Sequence, residues 1–328
     1  MSILGNPITL GGGGLELVAN VADGATVTAV LGSKTVTAVS SGGQARLKIP
    51  QEGKWTVSAT SGLLVSVPQE ISVPATIDIA LVAQELNDTS WTAIKQVSDA
   101  NMGANFWSVG DCKEITMNGM VSDGLTLSQY TTWVYIIGFN HNAEREGNGI
   151  AFQGFKATKD GTPICLTDSK YNSSVSSGMY FNMNNESINI GWEACQMRNN
   201  IMPLIKAAFP SDLQAVIKSS TIFTSQQSGG ADCTATVDEV FLLAEYEVFG
   251  RRYYSSLSES NYLKQYTYYA AGNSKVMYTS TVIGNASYWW MRSPSSYNAG
   301  YFCSVTANGG GSSGHSNNVQ GVSPAFKV

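Results

Sequence analysis

Charge is scarce in this chain. Of its 328 residues only 13% are Asp, Glu, Lys or Arg, against roughly 25% in ordinary soluble domains. The net charge is −5 and no run of Lys or Arg occurs, so nothing follows a phosphate backbone and a nucleic-acid role is excluded. Histidine is scarcer: His141 and His315 are the only two, too few for a three-His iron site. No apolar run is long enough to cross a bilayer, which argues against membrane insertion. The opening MSILGNPITLGGGG has neither a basic segment nor an adequate apolar one, so it is not expected to be a secretory signal. Cys112, Cys165, Cys195, Cys233 and Cys303 are odd in number and form no CxxC pair. That argues against a disulfide framework and a zinc site, and for free thiols in a protein made in a reducing cytosol. Gly11 to Gly14 is followed by no GK[ST] and no helix, so it is read as a flexible leader rather than a phosphate loop.

What is present lies at the two ends. The last forty residues open with an apolar block, Tyr288 to Pro294, and close with another, Gly321 to Val328. Between them Ser295 to Asn318 is almost wholly Ser, Gly, Asn, Tyr, Ala, Thr, Cys and His, and no charged side chain appears from Ser293 to Phe326. Gly-rich polar stretches normally read as linkers. The apolar bookends instead predict an ordered loop set pinned to a core. Its composition is that of antibody paratopes, with Tyr for contact area and Ser, Gly and Asn for adaptable hydrogen bonds. The candidate ligand-binding residues are therefore Ser295, Ser296, Tyr297, Asn298, Tyr301, Cys303, Ser304, Thr306, Asn308, Ser312, Ser313, His315 and Asn317. Exposing Trp289 or Trp290 would forfeit roughly 2 to 3 kcal/mol each, so at least one is expected in the core, against the Gly321 to Phe326 strand.

The length predicts about two domains. Residues 1–82 read as all-β. Alternating runs recur at Ala25 to Leu31, Lys34 to Val39, Ala45 to Ile49, Trp55 to Ala59, Leu63 to Val67 and Thr76 to Leu81. One face is apolar (Val27, Ala29, Leu31; Trp55, Val57, Ala59; Ile77, Ile79, Leu81), and Gly32-Ser33 is a two-residue hairpin turn. About seven short strands with frequent turns predict an immunoglobulin-like β-sandwich, an anchor or spacer. Residues 83–89 form the linker, and residues 90–328 mix elements. Trp91, Ile94 and Val97 or Ala93 have helical spacing behind a Ser90 or Thr89 cap. Strand-like runs follow at Cys112 to Met117, Thr131 to Phe139 and Gly149 to Phe155. Two helical pieces then lie within Asn200 to Thr224, split at Pro210, and Val237 to Gly250 is a buried element. Helices among strands predict an α+β domain.

The blocks WTAIKQVSD, NFWSVGDCKEI, IIGFNHN, VDEVFLLAEYEVFG, YWWMRSP and GVSPAF, in that order, resemble a C-type-lectin-like domain of the kind found in phage and gut-bacterial proteins. The resemblance covers Ser90 to Val328; the N-terminal part resembles phage immunoglobulin-like modules. Relatives with this fold include the variable proteins of diversity-generating retroelements. In these the ligand-binding face lies in the C-terminal segment, and adenine-directed mutation yields chiefly Asn, Ser, Gly, Asp, Tyr, His, Cys, Thr and Ala. Ser295 to Asn318 falls almost wholly inside that set. The resemblance implies a phage tail- or particle-associated receptor-binding or display protein. It would bind a host cell-surface protein or glycan, dock other virion proteins through its first domain, and form a homo-oligomer, a trimer first. Its place would be the virion or, alternatively, a bacterial cell surface. A decoration or fibre protein without receptor binding is the alternative.

Other chemistry has less support. The calcium-lectin EPN, QPD and WND motifs are missing and the tail has no carboxylate, so no metal is expected. No cofactor is expected either. An enzyme acting on cell-wall polysaccharide would need paired carboxylates, for which Glu186, Glu193, Asp232, Asp238 and Glu239 are loose candidates. Cys303 reads as a solvent-tolerated loop thiol, His141 as bonded to loop backbone, and Glu144 to Glu146 as a solvated turn. Arg292 is expected to pair with Asp111 or Glu239. No catalytic residue is assigned.

Overall fold

A computed structural model describes residues 14–227, 229–281 and 284–328; Gly11 to Gly13 of the leader lie outside the described residues. The chain divides into two compact units. The first runs to Gln84 and takes in Asp88–Gln96; the second comprises Glu85–Asn87 and Val97–Val328.

Through Val82 the first unit, among the described residues, is built of strands alone. Its strands are β1 (Leu15–Asn20), β2 (Thr26–Leu31), β3 (Lys34–Val39), β4 (Gln44–Ile49), β5 (Lys54–Ser61), β6 (Leu64–Ser66), β7 (Gln69–Ser72), β8 (Ala75–Asp78) and β9 (Leu81–Val82). They form one sheet in the order β4-β1-β8 and another in the order β3-β2-β5-β6-β9, with β7 also on β5. Period-two alternation turns Val27 and Ala29 of β2, Trp55, Val57 and Ala59 of β5, and Leu17 and Ala19 of β1 into one apolar core. Gly32 takes φ +59°, and the register Leu31↔Lys34 confirms the two-residue turn. Leu63, by contrast, lies at a hairpin tip and is 92% exposed. Ser90 Oγ accepts the Ala93 N–H at 3.2 Å, starting the helix Trp91–Asp99.

The second unit is built on an antiparallel five-stranded sheet. Its strands are β10 (Cys112–Ser122), β11 (Leu125–Phe139), β12 (Ile150–Lys156), β22 (Ala325–Lys327) and β16 (Val240–Phe241), in that order. Alternation and continuous apolar runs account for β10 to β12; Phe152 stacks on Phe326 across β12 and β22. Around the sheet lie a β14–β15 hairpin (Ser220–Ser225, Cys233–Asp238) and a small sheet of β13 (Ile164–Cys165), β17 (Met277–Thr279) and β18 (Ala286–Ser287). A further meander joins β19 (Trp289–Pro294), β20 (Tyr301–Val305) and β21 (Gly311–His315). Helices are short. Met202–Ala208 carries Pro203 in its first turn, where the missing N–H costs nothing, and Pro210 separates it from Ser211–Gln214. Strand accounts for 41% of the structure and helix for 16%, so β-sheet dominates. Among the described residues no helix is long and apolar enough to cross a membrane.

Candidate ligand-binding surface

The C-terminal meander rests on buried aromatic and charged groups. Trp289 and Trp290 are both buried, so the expectation of at least one core Trp is met twice over. Trp290 donates Nε1–H to the Phe181 carbonyl at 3.0 Å, and its backbone N–H to the Gly321 carbonyl at 2.9 Å. Two residues on, Arg292 is fully buried and grips Glu247 through two charge-assisted hydrogen bonds, 2.6 and 2.8 Å. The partner is thus Glu247, not Asp111 or Glu239. Glu247 is carried inward on the helix Glu245–Phe249, where it also accepts the Ala244 N–H, whereas Glu239 pairs with Lys206 at 2.7 Å. The Arg292 guanidinium also binds the carbonyls of Leu242 and Phe223 and the Thr224 hydroxyl, so none of its charge goes unmatched.

Two residues earlier on that helix, the Glu245 carboxylate accepts the backbone N–H groups of Tyr253, Tyr254 and Ser255 at 2.8 to 3.1 Å. That fixes a loop to which the tail is tied. Ser296 donates its hydroxyl to the Tyr254 carbonyl at 3.0 Å and its N–H to the same oxygen at 2.8 Å. The turn after β19 therefore presents Tyr297, 63% exposed, edge-on to Tyr254 and within 3.4 Å of Arg252. Asn298 beside it is exposed.

Residues expected to line one surface separate into four groups. Tyr297, Asn298, Tyr301 and His315 gather at one end of the β20–β21 hairpin. There His315 Nε2 lies 2.6 Å from the Tyr301 hydroxyl and its Nδ1 3.0 Å from Ser187 Oγ. Thr306 and Asn308 lie at the other end, roughly 14 Å along a five-residue hairpin. Ser312 and Ser313 sit between, on the outer strand β21, and Asn317 is half-buried beyond it. Ser295, Cys303 and Ser304 offer no accessible side chain. The reason is positional: β20 is the middle strand, and Phe302 to Val305 are covered on both faces. Burial pushes the Cys303 thiol well up from its ordinary value, so a solvent-tolerated loop thiol is corrected to a core one. Ser295 turns inward, its hydroxyl close to the backbone N–H groups of Tyr297 and Asn298.

Two other expectations also change. Glu146 is buried against Lys327 at 2.8 Å, not in a solvated turn. His141 is not bound to loop backbone through Nε2, which is buried without a partner among the described residues; the ring stacks on Tyr266 at 3.6 Å. Burial lowers its pKa from 6.5 to about 4, against an opposing pull from Glu146. His141, Glu146 and Glu247 could each offer a ligand atom to a metal, all within 4.8 Å. Lys327 and Arg292 already match the two carboxylates one for one, so a divalent cation would add uncompensated charge. Of the loose carboxylates, Asp238 is held by Arg198, Thr236 and Trp192, and Asp232 accepts from Tyr262.

Sequence reasoning passed over a groove beside the meander. Its floor is Tyr171 to Ser174 laid against Asn317 to Val319: Asn172 donates to the Val319 carbonyl and Val319 returns the bond to Ser173, at 2.9 and 2.8 Å. Tyr171 and Tyr288 form its aromatic wall, and Ser312, Ser313, Asn318 and Gln320 complete a cavity of about 320 Å³. The signal was there: Tyr171-Asn-Ser-Ser repeats the vocabulary of the tail.

Residues 168–328, which carry the groove, the Glu245 to Glu247 helix and the whole meander, match a family described as a domain of unknown function (DUF6273). No curated protein and no solved structure matches the chain.

Proposed function

We propose that this chain is a binding protein whose second unit, C-type-lectin-like in fold, presents the tail meander to a ligand on a bacterial surface, either a protein or a glycan. The observation that carries the reading is the contrast within the meander. Its roots are locked by Trp289, Trp290 and the Arg292–Glu247 pair, while uncharged Tyr297, Asn298, Asn308 and His315 are exposed and Ser312 and Ser313 half-buried beside them. Rigid anchoring of Tyr and Ser side chains is how paratopes limit the entropy lost on binding.

The first unit, immunoglobulin-like in this reading, serves as mount or spacer on a phage particle. Five free cysteines, four of them buried, fit a protein made in a reducing cytosol and used outside it. Several copies on a particle would raise avidity by about 10² to 10⁴ over one modest site, and a trimer is the expected assembly. A role confined to particle architecture is the rival reading; it predicts no attachment to cells.

Two experiments test the proposal. Fluorescently labelled protein is incubated with a panel of gut bacterial isolates; attachment to a subset, lost in Tyr297→Ala with Tyr301→Ala, is expected. Attachment to none would overturn it. Separately, the gene's neighbourhood is searched for a near-copy of the final coding segment beside a reverse transcriptase, with adenines at the Ser, Tyr and Asn codons. Its presence would establish diversification, and its absence would leave a fixed binding face.

A further inference from the structure

We infer that the groove walled by Tyr171 and Tyr288 is a calcium-independent site for a neutral oligosaccharide, an assignment that rests on the binding role proposed above and names its ligand class. The first argument is charge. Among the described residues no Asp, Glu, Lys or Arg lines this groove, nor the adjoining depression that shares Tyr171, Asn172 and Tyr288 and runs on to Thr279 and Asn285. A site for phosphate or carboxylate needs Arg, Lys or a helix terminus, and a site for a hard cation needs carboxylates. Neither is here.

The second argument is the kind of polar group. Ser173, Ser312, Ser313, Asn318 and Gln320 are all hydroxyls and amides, able to donate and accept at once. That is the pattern a polyol requires, because each sugar hydroxyl is itself both donor and acceptor. The aromatic wall supplies the other half. Tyr288 is 42% exposed, and its backbone N–H donates to the Tyr171 hydroxyl at 3.1 Å, which fixes the second ring beside the first. The flat C–H face of a pyranose packs on such rings, as apolar groups do on aromatic surfaces generally.

Access depends on Gly314. A Cβ there would lie 3.1 Å from Gln320 Nε2 and 3.4 Å from the Trp290 ring, with Asn318 Nδ2 at 3.5 Å. Any side chain at position 314 would therefore lie across both amides. Gln320 Oε1 is buried and without a hydrogen-bond partner among the described residues. The amide nitrogen of the same side chain faces the opening over Gly314, placed to donate to a ligand hydroxyl. The cavity falls in the size range of small-molecule sites.

The test uses the full chain in buffer with EDTA. The probes are an immobilised panel of neutral oligosaccharides (hexose and N-acetylhexosamine oligomers), their uronic-acid counterparts, and the bacterial panel used above. Binding is expected to at least one neutral oligomer and to no acidic one, unaffected by EDTA. Tyr288→Ala should weaken it about tenfold, as loss of an aromatic face does, while Tyr288→Phe retains it. No neutral oligomer bound at millimolar concentration, equal affinity in Tyr288→Ala, or binding abolished by EDTA would each overturn the inference. If cell attachment persists in Tyr288→Ala but fails in Tyr297→Ala with Tyr301→Ala, and no oligomer binds, the ligand is a protein met by the hairpin end. The inference is then refuted with the binding role intact. If the parent attaches to no cell, the binding role itself fails.

Discussion

The two units fill their interiors with different chemistry. In the first, the buried polar side chains among the described residues are Ser40, Ser66 and Thr89, and the rest of the core is apolar around Trp55. In the second, Glu146, Glu245, Glu247, Glu259, Arg292 and Lys327 are all buried. An apolar core gains stability by transfer from water and tolerates substitutions that conserve volume. Paired buried charges gain little net stability but are costly to break singly. The second unit thus uses groups that fit one arrangement only, and they stand at the foot of the surface proposed to bind. The contrast separates a part that need only hold together from a part that must hold its shape.

The largest test of that contrast is Arg292→Leu. It strands Glu247 in the interior and should cost about 3 to 5 kcal/mol, read by urea unfolding, with faster hydrogen exchange confined to the second unit. Arg292→Leu with Glu247→Leu should recover most of the loss. Equal acceleration in β1 to β8 would erase the distinction between the units.

Acid comes next. The folded-state pKa of His141, about 4, lies below the ordinary 6.5. Its neutral form therefore contributes stability that is complete above pH 6.5 and is lost as pH falls through 4, at most about 3 kcal/mol. Glu259 works in the opposite sense, because burial raises its carboxyl pKa. The quantity to measure is thus the difference between parent and His141→Phe from pH 7 to 4. A flat difference would remove His141 as the acid-sensitive element.

Gly311→Ala is a smaller perturbation. A Cβ there would meet the Tyr253 ring at 2.7 Å, and such overpacking costs about 1 to 3 kcal/mol, measurable by thermal unfolding. Smallest is Tyr297→Ala, with stability changed by less than about 0.5 kcal/mol, as for exposed sites, yet cell attachment lost. A large stability loss here would mean that the exposed ring is a structural prop.

Alternation made most of the first unit legible before any coordinates: Val27, Ala29, Trp55, Val57 and Ala59 point inward as their spacing required. β7 is not legible because QEIS is only four residues long, and β1 because Leu17, Val18 and Ala19 are buried in succession and break the alternation. Long-range charge pairing was not legible at all. Arg292 could have met any carboxylate, and its actual partner lies 45 positions away, chosen by how a short helix docks. Burial of Cys303 and Ser304 was hidden for a related reason, since Ser, Gly and Cys read as surface until the strand order puts β20 in the middle. The paratope-like composition also has a second source. Gly300 takes φ +74° with its Cα side against the Ser187 backbone, where a Cβ would come within 2.6 Å, so part of the tail's glycine content is a packing requirement.

That last feature sets a rule for inheritance and for engineering alike. Any process that rewrites this tail, whether a reverse transcriptase or a combinatorial library, meets a backbone clash at Gly300 and a milder ring contact at Gly311. Codons for Tyr297, Asn298, Asn308 and Ser313 can be shuffled freely. Variants selected for folding alone should therefore keep Gly300, disfavour larger residues at Gly311 and at the buried Ser295, Cys303 and Ser304, and vary openly at the exposed positions, an imprint of sterics rather than of any ligand.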